Sequence, residues 1–144
     1  MQGNFIMGKV TTKYKSGILF ESTMGNHKIT TEGPEDWGGS NSAPMPPQLF
    51  MASIGSCVGV LVTHFCQQHG LNAEGLSVDV DYDTAQHPTR FENINVTVDL
   101  PNAECDSDCT LKALEHVAEH CPVHETIVTL DKIQFNIKTK NDLN

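Results

Sequence analysis

The sequence predicts an α+β domain, on the evidence of three patterns. Short segments with alternating apolar side chains predict strands near both ends, a longer apolar stretch predicts a central helix, and turn-forming residues separate these segments. The predicted order is three strands, one helix, two strands, two helices and one strand, which is typical of antiparallel sheets packed with helices. No repeat or shift in composition divides the chain, so residues 1–144 are expected to form a single domain.

The first third of the chain predicts an antiparallel meander followed by a long loop. Three segments rich in β-branched and aromatic residues are separated by turn signals at Ser16-Gly17 and Gly25-Asn26. The predicted strands are 8–15, 17–22 and 26–31. Residues 33–47 are dense in Gly, Pro, Ser and Asn and are predicted to form a loop of the length that is often functional.

Residues 48–69 predict a buried central helix. The stretch is too long for a strand, is largely apolar on all sides and is followed by Gly70, a residue that commonly ends helices. Its small residues Gly55, Ser56 and Gly59 would let another backbone approach closely. A domain of this size has difficulty covering such a helix alone, so we expect a dimer.

The remaining elements follow the same patterns. Strands are predicted at 75–83 and 91–100, and an amphipathic helix at 108–120. Cys121-Pro122 is expected to begin another short helix, and 132–139 alternates as a final strand.

Composition excludes some classes of partner. The formal net charge of -9 and the single arginine, Arg90, argue against binding to nucleic acid. No stretch approaches the roughly 20 continuous apolar residues of a membrane helix, and the first residues lack the pattern of a secretory signal. We therefore expect a soluble cytoplasmic protein whose partners are small molecules or proteins, with no membrane partner.

Five cysteines in a cytoplasmic protein are more often catalytic, metal-binding or buried than disulfide-bonded. Cys121 is predicted to lie at the N-cap of a helix, where backbone N–H groups and the helix dipole favour a thiolate. His124, one turn on, could assist it. Cys57 lies among small residues that would leave space for a substrate, although a buried structural cysteine is the common alternative.

The other cysteines suggest core packing or, less well, a metal site. Cys66 is predicted to be a core residue. Cys105 and Cys109, with His116 and His120, superficially resemble a zinc ligand set, but their spacing and the polar loop between them are unconvincing. We therefore predict no metal site.

Two cysteine motifs together resemble a known family. PPQLFMASIGSC at 46–57 and HCPV at 120–123 resemble the OsmC/Ohr family of osmotically inducible and organic hydroperoxide resistance proteins. The resemblance extends over nearly the whole chain and includes the turn HPTRF at 87–91. It implies an OsmC-like fold, with antiparallel sheets wrapped around a buried central helix in an intertwined homodimer.

The family resemblance also implies an activity, a thiol-dependent peroxidase with no cofactor. Cys57 would be the peroxidatic thiolate that attacks an organic hydroperoxide, or hydrogen peroxide, and becomes a sulfenic acid. Cys121 would be the resolving thiol that forms a disulfide with it, and an external dithiol, lipoyl-type or another thiol, would reduce that disulfide. Each active site would lie at the dimer interface.

The chain departs from the family where the thiolate is usually supported by an arginine and a glutamate. Lys15 stands where the arginine is expected and Pro47 where the glutamate is expected. Lysine supplies charge but not a planar fork of donors. Glu32, Glu35 or Asp36 could orient Lys15. These departures indicate a divergent OsmC-like member with low turnover. The alternative is a non-enzymatic protein that senses redox state or binds a small apolar ligand.

Overall fold

The computed structural model describes residues 8–105 and 107–139, without the side chains of residues 108 and 109. The described part is mixed α+β with antiparallel sheets, as predicted. Its elements, in chain order, are β1 (Thr11–Ser16), β2 (Leu19–Met24), β3 (His27–Glu32), α1 (Pro46–His69), β4 (Ser77–Ala85), β5 (Arg90–Asp99), α2 (Asp108–Glu119) and α3 (Pro122–Thr129). Contacts group the chain into two compact units, 1–53 and 54–144.

The first unit contains the predicted meander. Strands β1, β2 and β3 pair in that order as an antiparallel sheet. Gly17 and Gly25 occupy the two turns with φ of 51° and 58°, a left-handed conformation that glycine adopts without steric cost. The loop that follows contains one short 3₁₀ turn, Glu35–Trp37.

Helix α1 begins at Pro46, two residues before the predicted start. Pro46 and Pro47 fit there because the first turn of a helix needs no intrahelical N–H donors. The helix ends as predicted: Gly70 has a φ of 68°, and the backbone N–H of Leu71 donates to the carbonyl of Cys66 at 2.9 Å.

Length and composition alone would allow α1 to cross a membrane, and it is the one such helix in the described ranges. The core helix of a soluble protein can satisfy the same criterion. The expectation of a protein without a membrane partner therefore stays a prediction.

The second unit is built around a two-stranded sheet and the C-terminal two thirds of α1. Strands β4 and β5 pair antiparallel, with Val78 opposite Val98. The buried core cluster combines α1 with residues from α2 and the start of α3, and its members are Val58, Val62, Cys66, Leu114 and Cys121. Val60 of α1, by contrast, is 68% exposed. The expectation that α1 is buried on all sides therefore stays a prediction.

The predicted strand at 132–139 is wrong for the residues that the structure describes. Residues 130–139 carry no helix or strand, and the three alternating side chains Ile133, Phe135 and Ile137 are 64%, 85% and 88% exposed. Alternation shows that a segment suits a half-buried sheet, but a strand also needs a neighbour for its backbone hydrogen bonds. No strand of residues 8–105 or 107–139 is paired with this segment.

Candidate active site

Cys57 lies on α1 beside two glycines that permit close packing. A Cβ at Gly55 would lie 3.3 Å from Cγ2 of Val80, and one at Gly59 would lie 3.7 Å from Cγ2 of Val78. The glycines therefore allow β4 to approach the helix. The expected close approach is therefore confirmed at Gly55 and Gly59.

Cys121 is the N-cap of α3, as the Cys-Pro sequence predicts. Its backbone is extended, Pro122 follows at the first helical turn, and the backbone N–H of His124 donates to Sγ of Cys121 at 3.3 Å. The side chain is fully buried in the core cluster. His124 thus acts on the sulfur through its backbone, while its ring Nδ1 contacts the carbonyl of Glu119.

The structure brings the Cys57 and Cys121 thiols into hydrogen-bond contact. Both cysteines are free thiols, and the hydrogen bond with Cys57 stabilises the protonated form of Cys121. Cys57 is half-buried and packs against the same core. The contact joins a residue of α1 to the N-cap of α3.

Burial is the main reason that the pKa of Cys121 is raised above its ordinary value. The N–H groups of His124 and Val123 lower that pKa, but burial and the hydrogen bond from Cys121 to Cys57 together outweigh them. The helix N-terminus thus favours the Cys121 thiolate, as predicted, but burial has the larger effect and the pKa is raised. Position along a helix can be read from sequence, whereas the burial that opposes its effect depends on tertiary packing.

Lys15 lies in the first unit, where its partner is Glu21. Its Nζ is 3.9 Å from Oε2 of Glu21, and Nζ of Lys28 lies 3.0 Å from the other oxygen. The hydrogen bond from Lys28, with the charges of the neighbouring lysines, lowers the pKa of Glu21. The role of Lys15 toward Cys57 stays a prediction.

Glu21 was missed by sequence reasoning, although the hairpin register could have revealed it. Lys13 pairs directly with Glu21 across the two strands, which places Lys15 as the diagonal neighbour on the same face. Glu32, an expected partner of Lys15, is instead buried and accepts hydrogen bonds from the backbone N–H and hydroxyl groups of Ser40 and Ser42 at 2.8 to 3.0 Å.

Arg90 lies at the turn between β4 and β5 and forms a 2.9 Å ion pair with Glu92. Both side chains are exposed, so this surface ion pair contributes little to the stability of the fold.

The remaining cysteines do not assemble a metal site among the side chains that the structure describes. No three His, Cys, Asp or Glu groups come together there, and the rings of His116 and His120 contact each other with centroids 4.0 Å apart. The side chain of Cys109 lies outside the described residues. Cys66 is fully buried, as predicted, and Cys105 packs against the cluster that contains it.

A cavity of about 800 Å³ opens within the second unit. Its walls come from α1, β5, the segment between β5 and α2, α2 and α3. They are mostly aliphatic, with polar groups from Cys105, Glu115, Glu119 and His124. Neither Cys57 nor Cys121 lines it. Sequence reasoning did not find this cavity, because its walls come together only in the tertiary structure.

Comparison with known proteins gives a consistent family and fold. Residues 39–138 match the family model described as OsmC-like protein. An OsmC-like protein from Mycoplasma pneumoniae has a TM-score of 0.70 at 15% identity, with 87% of this chain and 89% of that chain covered. An organic hydroperoxide resistance protein from Legionella pneumophila has a TM-score of 0.58 at 20% identity, with 88% and 93% covered.

A third solved structure extends the same similarity. An organic hydroperoxide resistance protein from Elizabethkingia anophelis has a TM-score of 0.63 at 16% identity, with 90% of this chain and 93% of that chain covered. At these identities the solved structures show a shared fold. No curated protein sequence is similar enough to this chain to count as a match.

Proposed function

Because the chain belongs to the OsmC-like protein family, we propose that it is a thiol-dependent peroxidase that reduces organic hydroperoxides in defence against oxidative stress. The observation that carries this proposal is the hydrogen bond between the free thiols of Cys57 and Cys121. Two solved structures of the same fold are named organic hydroperoxide resistance proteins, which supports the substrate class.

The first step of the proposed mechanism occurs at Cys57. Its thiolate attacks one oxygen of the hydroperoxide, the O–O bond breaks, and the alkoxide leaves as an alcohol after taking up a proton. Cys57 becomes a sulfenic acid. The peroxide is reduced by two electrons, which come from the sulfur. With hydrogen peroxide as the substrate, the leaving group would be water.

Cys121 is suited to the second step. Its raised pKa keeps it a thiol in the resting protein, where it donates a hydrogen bond to Cys57. During resolution the Cys121 sulfur displaces the sulfenic hydroxyl, the Cys121 proton leaves with that hydroxyl as water, and a disulfide forms. An external dithiol, lipoyl-type or another thiol, then reduces the disulfide by exchange and becomes oxidised itself. The reaction is proposed to occur in the cytoplasm, where such reductants keep thiols reduced.

Lys15 is proposed as the cation that supports the Cys57 thiolate, on the basis of its place in the family alignment. Its ion pair with Glu21 supplies the carboxylate partner that Pro47 cannot provide. The ammonium group of Lys15 lacks the planar, five-donor geometry of a guanidinium. We therefore expect slower turnover than in members with the arginine and glutamate.

A homodimer is the proposed assembly. Helix α1 leaves Val60 uncovered, and the alternating apolar side chains of residues 132–139 are exposed in the single chain. A second copy of the chain would remove this apolar surface from water. The intertwined arrangement expected for the family would provide that cover.

Turnover with an organic hydroperoxide tests the peroxidase proposal. Purified protein is mixed with cumene hydroperoxide and a dithiol, dihydrolipoamide or dithiothreitol, and consumption of the dithiol is followed. We expect many equivalents to be consumed per chain, with loss of activity in Cys57→Ser. Ser53→Ala, one turn earlier on α1, is the matched control and should retain activity. A wild-type protein that leaves the hydroperoxide untouched would refute the proposal.

The cavity favours one other candidate function, an OsmC-like protein that binds a small apolar ligand or senses redox state without turnover. Its aliphatic walls suit an apolar molecule, and it lies in the same unit as the two thiols. This candidate predicts one disulfide per chain, formed stoichiometrically, with a change in the binding of a fluorescent apolar probe. Sustained dithiol consumption would exclude it.

A further inference from the structure

A second pair of thiols lies away from the Cys57–Cys121 pair. Cys66 is on the same helix as Cys57 but nine residues later, about 13 Å along the helix axis. It is completely buried on the face of α1 that carries Val58 and Val62. The proposed peroxidase cycle makes no use of it.

Cys105 is the thiol that we consider as a partner for Cys66. It belongs to the segment between β5 and α2, is half-buried, and packs against the cluster that contains Cys66. Burial raises the pKa of Cys66, and charge on Cys105 raises it further.

Cys105 also lines the apolar cavity, whereas Cys57 and Cys121 do not. A molecule in the cavity would therefore lie against Cys105. The walls around it are aliphatic and include Val62, Leu100 and Leu114. Such a surface favours a peroxide with a hydrocarbon body over hydrogen peroxide, because burial of apolar surface stabilises binding.

We propose that Cys66 and Cys105 form a second redox-active dithiol, which is oxidised to a disulfide by organic hydroperoxides that enter the apolar cavity. Cys105 reacts first because it lines the cavity. Its thiolate takes one oxygen from the hydroperoxide, becomes a sulfenic acid and releases an alcohol after a proton is taken up. The Cys66 thiol then displaces the hydroxyl, water leaves, and the disulfide joins α1 to the segment before α2.

Tryptic peptides distinguish this disulfide from the proposed catalytic one. Cleavage after Lys28, Arg90, Lys112 and Lys132 places Cys57 and Cys66 in peptide 29–90, Cys105 and Cys109 in 91–112, and Cys121 in 113–132. A Cys66–Cys105 bond links 29–90 to 91–112. A Cys57–Cys121 bond links 29–90 to 113–132.

The test uses the full-length double variant Cys57→Ser/Cys121→Ser, so its outcome does not depend on the peroxidase proposal. Three of the five thiols remain in this variant. After treatment with cumene hydroperoxide we expect one titratable thiol per chain, a 29–90/91–112 link in non-reducing mass spectrometry, and a monomeric band on a non-reducing gel. Cumene hydroperoxide should form the link faster than hydrogen peroxide at equal concentration.

Several results would overturn the proposal. The proposal is wrong if all three thiols stay unchanged, if Cys105 forms a bond with Cys109 within one peptide, or if the link joins two chains. Adding Cys105→Ser to the double variant should abolish the link while leaving the core residue Cys66 in place, and its circular dichroism spectrum checks folding. If the double variant does not fold, the wild-type protein provides the measurement, and absence of the 29–90/91–112 link after oxidation contradicts the proposal.

Discussion

The Cys121 thiol donates a hydrogen bond to the sulfur of Cys57, which joins the N-terminus of α3 to α1. Cys121 is fully buried and keeps its proton, while Cys57 is half-buried. The two thiols thus differ in environment although they are in contact. This difference supports the proposed order, in which Cys57 attacks and Cys121 resolves.

Replacing Cys121 with serine should trap the reaction after its first step. Serine cannot form a disulfide, but its hydroxyl can accept the hydrogen bond from the backbone N–H of His124 that the sulfur accepts now, so α3 keeps its cap. We expect sulfenic acid at Cys57 after one equivalent of cumene hydroperoxide, detected with a dimedone-type reagent and mass spectrometry. Cys121→Ala, which loses the cap, serves as a comparison for stability. Unmodified Cys57 in a folded Cys121→Ser protein would contradict the assigned roles.

Glu32 should make the loop after β3 sensitive to acid. Hydrogen bonds from the backbone N–H groups of Ser42 and Ser40 lower the pKa of Glu32 from 4.5 to about 2. Because the folded-state pKa is depressed, the stabilisation is complete above pH 4.5 and is lost as the pH falls toward 2. Fluorescence of Trp37, the single tryptophan and a residue of this loop, can follow the change.

The variant Glu32→Gln tests the same cluster at neutral pH. One carboxylate oxygen becomes an amide NH₂ that faces donors, so the loop should loosen and the midpoint of thermal unfolding should fall by several degrees. Glu35→Gln is the control because that side chain is exposed in the same loop. Equal effects of the two substitutions would show that the Glu32 hydrogen bonds do not hold the loop.

The two glycines of α1 should respond differently to substitution. Gly59→Ala adds a methyl group at ordinary contact distance and improves helix propensity, so it should raise the free energy of unfolding by up to about 1 kcal/mol. Gly55→Val would force branched methyl groups against Val80, where even a Cβ is at 3.3 Å, and should destabilise by about 1–3 kcal/mol. Urea unfolding provides both values. Similar stability changes at the two positions would contradict the packing described for β4.

The exposed C-terminal segment should affect assembly. Phe135→Asp places a charge in the alternating apolar set and should weaken the proposed homodimer, because burial of an unpaired carboxylate is costly. Light scattering coupled to size-exclusion chromatography measures the mass as the protein is diluted. Lys138→Glu is the control for a change of charge in the same segment. A monomeric wild-type protein, or an unchanged dimer in Phe135→Asp, would rule out this role of the segment.

Local sequence signals predicted most of the secondary structure. The Cys-Pro pair correctly located the N-cap of α3, and Gly70 correctly marked the end of α1. These signals act through backbone geometry within one turn, so they need no knowledge of the tertiary fold.

Properties that depend on distant parts of the chain could not be predicted in this way. The raised pKa of Cys121 depends on burial, and Cys105 packs against a cluster whose member Cys66 lies almost forty positions earlier in the chain. The prediction of a strand at 132–139 was wrong for the same reason. Alternation indicates a segment that suits a sheet, but it does not show whether a partner strand lies beside it.

Mass spectrometry of the wild-type protein after one equivalent of organic hydroperoxide tests the central claim most directly. The proposed mechanism predicts a disulfide between Cys57 and Cys121, seen as a link between tryptic peptides 29–90 and 113–132 that disappears on reduction. Cys57 oxidised to sulfinic or sulfonic acid without that link, or both cysteines left as free thiols, would contradict it.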